Sequence, residues 1–286
     1  MGGIAILNGF GRTLGDGVIG LQALLAAQTL GAIGPRPTLF RLPGLPSVIQ
    51  QIYEAADFAV VETLPWGDAT PDRQFALAAA FARVIDIRDF AFDPGFRGTA
   101  MIDYFLTRLG VDPAAVPATL RRNTWLRPRI APIGATGHVL VCPHTASALR
   151  TMPPAVHDYI LHWLEREGGL PVLTQATLPR AATLAELCGL VAGARLIVSA
   201  DTAMVHLADA FEIPTLAFFT THRPEWRVRD YPHCRSLYLA PLGLPDALEF
   251  SRGPDDIAAC EAAWFAPGRD LAWLDPLLHE IWEATQ

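Results

Sequence analysis

Short apolar runs alternate with longer amphipathic stretches along most of this sequence. In the first half, runs with the length of buried strands lie at residues 4–7, 38–41, 59–63 and 84–87. Stretches with helical spacing lie at 18–29, 47–56, 72–82 and 99–109. This alternation is typical of βα units around a parallel sheet. The first half is therefore predicted to be an α/β domain.

The alternation stops after Gly110, where residues 111–137 are rich in proline and arginine and keep no sustained period. Proline at this density blocks helix interiors and sheet hydrogen bonds. The alternation then resumes, with predicted strands at 139–142, 171–174, 196–199 and 215–219. Predicted helices of this half lie at 154–167, 184–192, 203–210, 255–265 and 271–284.

The pattern thus predicts three segments. Residues 1–110 form an N-terminal domain, 111–137 a connector and 138–286 a C-terminal domain. Two open α/β halves joined in this way predict a cleft between them. Ligands of such sheets bind beyond the carboxyl ends of the strands.

Composition narrows the class of protein. The chain has 286 residues, of which 51% are hydrophobic and 18% charged, so a packed core is expected. All 22 basic residues are arginine, against 29 acidic residues, and the net charge is −7. Nucleic-acid-binding proteins normally carry a basic excess, so no nucleic-acid partner is expected. The lack of lysine excludes Schiff-base chemistry, and any anion site must use arginine or backbone amides.

The apolar runs do not predict a membrane span or a signal peptide. The best candidate, residues 21–33, is interrupted by Gln22, Gln28 and Thr29 and falls short of ~18 apolar residues. The N-terminus lacks a basic region before its apolar stretch. The four cysteines form no CxxC pair and fit a reducing compartment. We expect a cytoplasmic protein, with at most peripheral contact at the inner face of the membrane.

The one basic concentration in the sequence lies at residues 121–129, within the predicted connector. Its arginines can contact the phosphates of an acceptor or an anionic membrane surface. A solvated linker explains the same composition, and charge runs are most often solvated. We favour the solvated linker.

A glycine-rich turn follows the first predicted strand. Residues 8–17 read NGFGRTLGDG, but the third glycine of a dinucleotide-binding GxGxxG falls on Leu14, so that fingerprint fails. The turn presents Asp16 at the start of a helix, with Arg12 and Gly15 beside it. Asp16 is either an N-cap, which accepts hydrogen bonds from orphan amides, or a catalytic acid. The turn alone favours the cap, and the two roles are compatible.

The most informative segment is 196–219. A hydrophobic strand ends in Ser199-Ala200, and Asp201-Thr202 then opens a helix. Asp201 or Thr202 can cap that helix, whose first amides form an anion site. His206 lies one turn further on, on the same face. It either reaches a ligand at the helix N-terminus or packs as a buried imidazole against the sheet.

Together these motifs resemble glycosyltransferase family 9, the ADP-heptose:lipopolysaccharide heptosyltransferases and their relatives. The resemblance includes the Gly15-Asp16 turn, the Asp201-Thr202…His206 segment and the loop 221–226, which reads THRPEW. It implies an α/β protein of GT-B fold, with two Rossmann-like domains whose parallel sheets face each other across a cleft. The N-terminal domain would hold the acceptor and the C-terminal domain the nucleotide sugar.

The resemblance also implies roles for single residues. Asp16 matches the general base toward the acceptor hydroxyl, with Gly15 and Arg12 on the acceptor side. Residues 142–153 look like the loop that holds the diphosphate; the other interpretation is an ordinary βα turn with a surface arginine. The implied donor-binding residues are Thr145, Ser147, Arg150, Gln175, Asp201, Thr202, Ala203 and His206.

Three of these positions depart from the family pattern. Arg150 stands where the family usually has lysine, which preserves charge but changes geometry. Ala203 stands where a glycine normally follows Asp-Thr. The acidic residue often found at the donor ribose has no clear counterpart, and Gln175 is the nearest candidate.

The sequence contains no DxD carboxylate pair. Enzymes that hold a nucleoside diphosphate through a divalent ion generally need convergent carboxylates. We therefore predict a metal-independent reaction with no cofactor besides the donor substrate. Charge on the leaving group would be met by Arg150, hydroxyls and helix N-termini.

The predicted function is an inverting glycosyltransferase. It would move a sugar, with a heptose as one candidate, from a nucleoside diphosphate to a saccharide, lipopolysaccharide-type or protein acceptor. One alternative is a nucleotide-sugar epimerase of similar two-domain fold. Another is a non-catalytic nucleotide-sugar-binding protein, which Ala203 and the missing ribose acid make conceivable.

Overall fold

The computed structural model describes residues 3–7, 10–64, 80–167, 169–175 and 181–285. The chain divides into two compact units. The first comprises Met1–Ile130 with Ala182–Leu184, and the second comprises Ala131–Ala181 with Ala185–Gln286. Each unit is built around one parallel sheet.

The first unit has a four-stranded sheet in the order β3-β2-β1-β4. Its strands are β1 (Ile4–Leu7), β2 (Thr38–Arg41), β3 (Val60–Thr63) and β4 (Arg83–Asp86). The helices described in this unit are α1 (Leu14–Thr29), α2 (Ser47–Glu54) and α3 (Met101–Leu109). The predicted helix 72–82 lies outside the described residues, apart from 80–82.

Local signals explain where these helices begin and end. Helix α1 begins four residues earlier than predicted because the Thr13 hydroxyl accepts a hydrogen bond from the Asp16 amide at 3.2 Å and caps its first turn. Helix α3 ends at Gly110, whose φ of 88° lies in the left-handed region that glycine adopts without strain.

Residues 111–130, most of the predicted connector, pack onto the first unit. The Trp125 indole donates to the Val18 carbonyl at 3.0 Å, and Gln22 donates to the Leu120 carbonyl at 2.7 Å. Trp125 and Leu126 are both buried. The buried apolar surface of these side chains holds the segment on α1.

The arginines of this segment form ion pairs within the first unit. Arg129 lies 2.6 Å from the Asp57 carboxylate and over the Phe58 ring, and Arg121 lies 3.8 Å from Asp103. The solvated linker favoured from the sequence therefore does not describe these two side chains. Their charges are paired with carboxylates on neighbouring elements.

The second unit has a five-stranded parallel sheet in the order β6-β5-β7-β8-β9. Its strands are β5 (His138–Cys142), β6 (Val172–Thr174), β7 (Ala194–Ala200), β8 (Thr215–Phe219) and β9 (Cys234–Tyr238). The helices described after β5 are α4 (Pro154–Glu167), α5 (Leu184–Ala192), α6 (Ala203–Phe211), α7 (Pro254–Ala263) and α8 (Asp275–Glu283).

The core of the second unit lies against the central strands. β5 and β8 are buried along their whole length, as expected for inner strands of a parallel sheet covered on both faces. Trp163, Phe218 and Trp264 are among the large side chains that fill one of these faces. None of the helices in the described ranges is both long enough and apolar enough to cross a membrane.

Candidate active site

Charged side chains meet at the carboxyl edge of the second sheet. Arg150 lies in the loop after β5, Asp201 directly follows β7, and His222 lies three residues after β8. These three strands are neighbours, so their carboxyl ends open onto the same edge. The chain leaves β5 for β6 on one side and returns to β7 on the other. Such a reversal of strand order is where open α/β sheets bind ligands.

Arg150 and Asp201 form an ion pair across this point. The distance between Arg150 Nη1 and Asp201 Oδ2 is 3.3 Å, and Asp201 is only 5% exposed. Burial by itself would raise the pKa of the Asp201 carboxyl. The Arg150 charge, with His222 and Arg227, outweighs that effect and holds the pKa well below its ordinary value. Asp201 is therefore ionised at neutral pH.

His222 links Asp201 to a second carboxylate. Its Nδ1 lies 3.7 Å from Asp201 Oδ2, and its Nε2 lies 2.9 Å from Glu249 Oε1. Arg227 Nη2 lies 3.2 Å from the same Glu249 oxygen. Burial raises the pKa of Glu249, but the His222 hydrogen bond and the charges of Arg227 and Arg150 lower it overall. We call these five residues the Asp201 network.

The beginning of helix α6 lies beside this network. The Thr202 hydroxyl accepts a hydrogen bond from the Met204 amide at 3.1 Å. The Ser199 hydroxyl lies 3.2 Å from the Thr202 hydroxyl. Thr202 is thus the N-cap, and Asp201 is used in the ion pair instead. Ala203, the first helical residue, is half-buried at the helix N-terminus. The amides of this turn are directed as in helix termini that bind anions.

His206 is buried below that turn. It is 5% exposed, its Nδ1 lies 2.9 Å from the Tyr231 hydroxyl, and the two rings meet edge to face. Burial lowers the pKa of His206 to about 4 against the opposing charge of Asp201, and the charges of Arg227 and Arg150 lower it further. His206 is therefore neutral at pH 7. Its predicted contact with a donor stays a prediction.

The loop after β5 is held by its own hydroxyl groups. Thr145 Oγ1 accepts from the Ser147 amide at 3.0 Å and donates to the Ser147 carbonyl at 2.5 Å. Thr220, after β8, donates to the Leu149 carbonyl at 2.7 Å. The loop is therefore tied to the end of β8 just before Arg150. These contacts fix the start of the Arg150 side chain relative to Asp201.

Gln175 lies at the same edge of the sheet, directly after β6. It is exposed, and its side-chain oxygen accepts from the His144 amide at 3.3 Å. The eight residues that the resemblance implied for the donor thus follow β5, β6 and β7. His222, Arg227 and Glu249 were not predicted as site residues, because nothing local in the sequence pairs them with each other. The only signal was the THRPEW loop, which marked the region around His222.

Asp16 lies in the first turn of α1, in the first unit. Because Thr13 is the N-cap, the interpretation of Asp16 itself as the cap is wrong. Gly15 is buried and Arg12 is exposed. Burial and the nearby Asp16 charge both raise the pKa of the Tyr53 hydroxyl, which donates to the Gly11 carbonyl at 3.3 Å.

Gly11 is required at the Asp16 site. Its φ is 99°, and a Cβ atom there would lie 3.0 Å from Asp16 Oδ2. Any other residue would be strained and would press on the carboxylate. The close approach of the turn to Asp16 explains the glycine at this position of NGFGRTLGDG.

No group of three or more His, Cys, Asp or Glu side chains within the described ranges is arranged to hold a metal ion. The Asp201 network contains two carboxylates and one imidazole, but two guanidinium groups neutralise the carboxylates.

Comparison with known proteins connects this geometry to a family. The sequence profile of glycosyltransferase family 9 (heptosyltransferase) matches residues 171–232, which contain Gln175, Asp201, Thr202, Ala203 and His206. No curated protein matches the chain. The matched segment covers β6 through β8, where the second sheet meets the Asp201 network.

Solved structures share the fold. TibC, a bacterial iron-containing dodecameric glycosyltransferase from enterotoxigenic E. coli H10407, aligns at a TM-score of 0.66 with 15% identity, over 100% of this chain and 77% of TibC. E. coli heptosyltransferase WaaC, solved with ADP-2-deoxy-2-fluoro heptose, aligns at a TM-score of 0.55 with 13% identity, over 92% of this chain and 99% of WaaC. E. coli ADP-heptose lipopolysaccharide heptosyltransferase II aligns at a TM-score of 0.54 with 12% identity, over 93% of this chain and 99% of that enzyme.

Two α/β units, each with a parallel sheet, are the fold of the GT-B heptosyltransferases, as predicted. Within residues 171–232 the sequence also matches glycosyltransferase family 9. The resemblance found in the sequence is therefore confirmed for this segment and for the fold. The comparisons give no support to the epimerase alternative.

Proposed function

We propose that the chain transfers a sugar from a nucleoside diphosphate to an acceptor hydroxyl, with inversion at the anomeric carbon and without a metal ion. The observation that carries this proposal is the Arg150–Asp201 pair at the strand-order reversal of the second sheet. A guanidinium has five N–H donors in a fixed fork, so Arg150 can keep its contact with Asp201 while it binds phosphate oxygens.

The donor diphosphate would lie between Arg150 and the first amides of α6. Thr202 caps the helix through its own hydroxyl and leaves the carboxylate of Asp201 to orient the guanidinium. The positive end of the helix and the arginine would together stabilise the charge on the departing diphosphate. Ala203 adds only one methyl group at this turn, so its backbone can still approach a phosphate.

Asp16 would act as the general base. Its carboxylate takes the proton of the acceptor hydroxyl as that oxygen attacks the anomeric carbon. The bond from this carbon to the diphosphate oxygen breaks, and the electron pair leaves with the nucleoside diphosphate. General-base help of this kind typically contributes ~10²–10⁴-fold to the rate. Inversion follows because nucleophile and leaving group lie on opposite sides of the carbon.

An ADP-linked heptose is the first donor to test, because WaaC was solved with an ADP-heptose analogue. A saccharide or lipopolysaccharide-type acceptor is the corresponding acceptor class. The contact of Arg150 with phosphate supports a nucleoside diphosphate donor of any kind. The adenine nucleobase and the heptose are a more specific part of the proposal. The protein would act at the cytoplasmic side of the membrane, where nucleotide sugars are used.

A panel of nucleotide sugars, with and without saccharide acceptors, tests the proposal. We expect release of nucleoside diphosphate that depends on the acceptor, and a product whose anomeric configuration by NMR is opposite to that of the donor. Conversion of the donor without an acceptor would support an epimerase. A thermal shift with the donor but no turnover under any acceptor would support a non-catalytic binding protein.

A further inference from the structure

A polar cavity of about 380 Å³ lies in the first unit, at the carboxyl end of β4. Ligand pockets typically begin at ~300 Å³, so this volume suits a single sugar ring. Its walls come from the segment after β4 and from helix α3. The residues used in the argument below are Asp86, Arg88, Asp89, Phe92, Asp93 and Arg108.

One side chain connects the cavity to the turn that carries Asp16. The cavity wall includes Phe90. A Cβ atom placed on Gly11 would lie 2.9 Å from Phe90 Cε1 and 3.0 Å from Asp16 Oδ2, so the ring and the carboxylate flank the same small gap. Strand β4 also pairs with β1, with Asp86 opposite Leu7, just before the turn that leads to Asp16. The Phe90 side chain is therefore shared by the cavity wall and the surroundings of the proposed base.

The charges in the cavity wall are largely paired with each other. Arg88 binds both carboxylate oxygens of Asp86, at 2.9 and 2.6 Å. Tyr104 donates to Asp93 at 2.7 Å, and Arg108 donates to the Asp86 carbonyl at 2.7 Å. Paired charges of this kind offer both hydrogen-bond donors and acceptors. Sugar hydroxyls, which donate and accept, match such a wall.

The balance of charge disfavours an acidic ligand. Among the lining residues that the structure describes, Asp86, Asp89 and Asp93 carry three negative charges, and Arg88 and Arg108 carry two positive ones. An anion would meet a net negative wall. Asp89 is exposed, so its carboxylate faces solvent that a ligand can replace. This differs from the Asp201 network, where arginines face the proposed diphosphate.

Phe92 adds an apolar surface to the cavity wall. It is 65% exposed and belongs to the short helical turn Phe90–Phe92. An exposed ring in a polar cavity suits the C–H face of a sugar, which is apolar while its rim of hydroxyls is polar. The same cavity thus presents an aromatic face and hydrogen-bonding groups.

We propose that this cavity binds one uncharged sugar unit of the acceptor, with Phe92 against the ring face and Asp89 accepting hydrogen bonds from its hydroxyls. The assignment of this sugar to the acceptor rests on the proposed function. The cavity selects neutral saccharides over acidic ones because its wall carries a net negative charge. Phe92 and Asp89 are then specificity-determining residues of the acceptor side.

Saturation-transfer NMR with simple glycosides tests binding directly. Methyl glucoside and methyl mannoside are the neutral probes, and methyl glucuronide is the acidic probe of the same size. We expect the neutral probes to bind at least about threefold more tightly than the glucuronide. Equal or tighter binding of the glucuronide would overturn the proposal.

Variants locate the binding. Phe92→Ala should weaken binding of the neutral probes at least about threefold, and Phe92→Tyr should retain it. Phe250→Ala is the matched control, because Phe250 is 62% exposed but lies in the second unit. Asp89→Asn should narrow the preference for neutral probes about two- to fivefold by removing a like charge. Equal effects of Phe92→Ala and Phe250→Ala would overturn the proposal.

Transfer assays separate this inference from the proposed function. If the wild-type protein binds neutral glycosides through Phe92 but transfers no sugar, the cavity assignment as a saccharide site stands and the proposed function fails. If transfer occurs and Phe92→Ala leaves the KM of a neutral acceptor unchanged, the proposed function stands and the cavity inference fails. Affinity for ADP, measured by calorimetry, should be the same in all these variants.

Discussion

Arg150 and Asp201 lie 51 positions apart in the sequence, yet their side chains form an ion pair of 3.3 Å at adjacent strand ends. The carboxylate is almost completely buried, while the guanidinium side chain remains 24% exposed. A buried charge needs a partner, and an exposed guanidinium can also contact a ligand. This pair therefore connects the stability of the second unit to its proposed binding of phosphate.

Arg150→Ala should weaken ADP binding by ~1.5–3 kcal/mol, or about 10- to 150-fold, because one charge-assisted contact is lost. Isothermal titration calorimetry measures this. Arg223→Ala is the control, since Arg223 is 48% exposed and pairs with Asp246. Unchanged ADP affinity in Arg150→Ala would remove Arg150 from the site.

The same substitution should lower the free energy of unfolding, because it removes a partner of the buried Asp201 carboxylate. The double variant Arg150→Ala/Asp201→Asn should recover part of that loss, since the uncompensated charge is gone. It should not recover ADP affinity. Urea unfolding gives the stabilities, and a double variant no more stable than Arg150→Ala would contradict the coupling.

Substitutions at Asp16 and Thr13 distinguish a catalytic role from helix capping. Asp16→Asn should lower turnover ~10²-fold or more with ADP affinity preserved, because an amide cannot take the acceptor proton. Thr13→Ala should instead cost ~1 kcal/mol of stability, because its hydroxyl caps α1. Steady-state kinetics and urea unfolding of both variants test this. Near-normal turnover in folded Asp16→Asn would show that Asp16 is not the base.

The inner strands of both sheets could be predicted from the sequence because both of their faces are buried. β5 and β8 are continuous apolar runs and were predicted within one residue. β9 was not predicted, because Cys234–Tyr238 includes Arg235 and Ser236 and is only half-buried at the sheet edge. A short, mixed edge strand has neither an apolar run nor a strict alternation.

Residues of the candidate site could be predicted from the sequence only where they lie close together along the chain. Asp201 and Thr202 stand at a strand-to-helix turn, and that position alone indicates their chemistry. The contact of His222 with Glu249 joins residues 27 positions apart. Such a pair depends on the course of the chain after β9, which no local spacing encodes. Thr13 was not considered as the N-cap, because that role depends on α1 beginning at Leu14 rather than at the predicted Val18.

Transfer should continue in excess EDTA. The proposed leaving group is stabilised by Arg150 and the α6 amides, so no divalent ion is needed to neutralise the diphosphate. The assay is turnover with EDTA, followed by addition of Mg²⁺, Mn²⁺ or Fe²⁺. Iron belongs in this series because TibC is described as an iron-containing glycosyltransferase. Loss of turnover with EDTA, and recovery with any of these ions, would contradict a metal-independent reaction.

His206 should make folding of the second unit sensitive to acid. Burial lowers its pKa from an ordinary 6.5 to about 4, so the unfolded chain binds a proton in this interval that the folded chain does not. The free energy of unfolding therefore falls as the pH decreases from 6.5 to 4, by on the order of 3 kcal/mol at the lower end. Above pH 6.5 this contribution is constant.

Urea unfolding at several pH values, compared between the wild-type protein and His206→Gln, measures that contribution. Groups that titrate in both proteins cancel in the difference, which should decrease between pH 6.5 and 4. The Tyr231 hydroxyl lies 2.9 Å from His206 Nδ1, and a glutamine amide can also form a hydrogen bond with this hydroxyl. Tyr231→Phe should keep the wild-type slope, because burial rather than this hydrogen bond is the main cause of the shift. A slope shared by wild type and His206→Gln would show that the imidazole does not remain neutral in the folded protein.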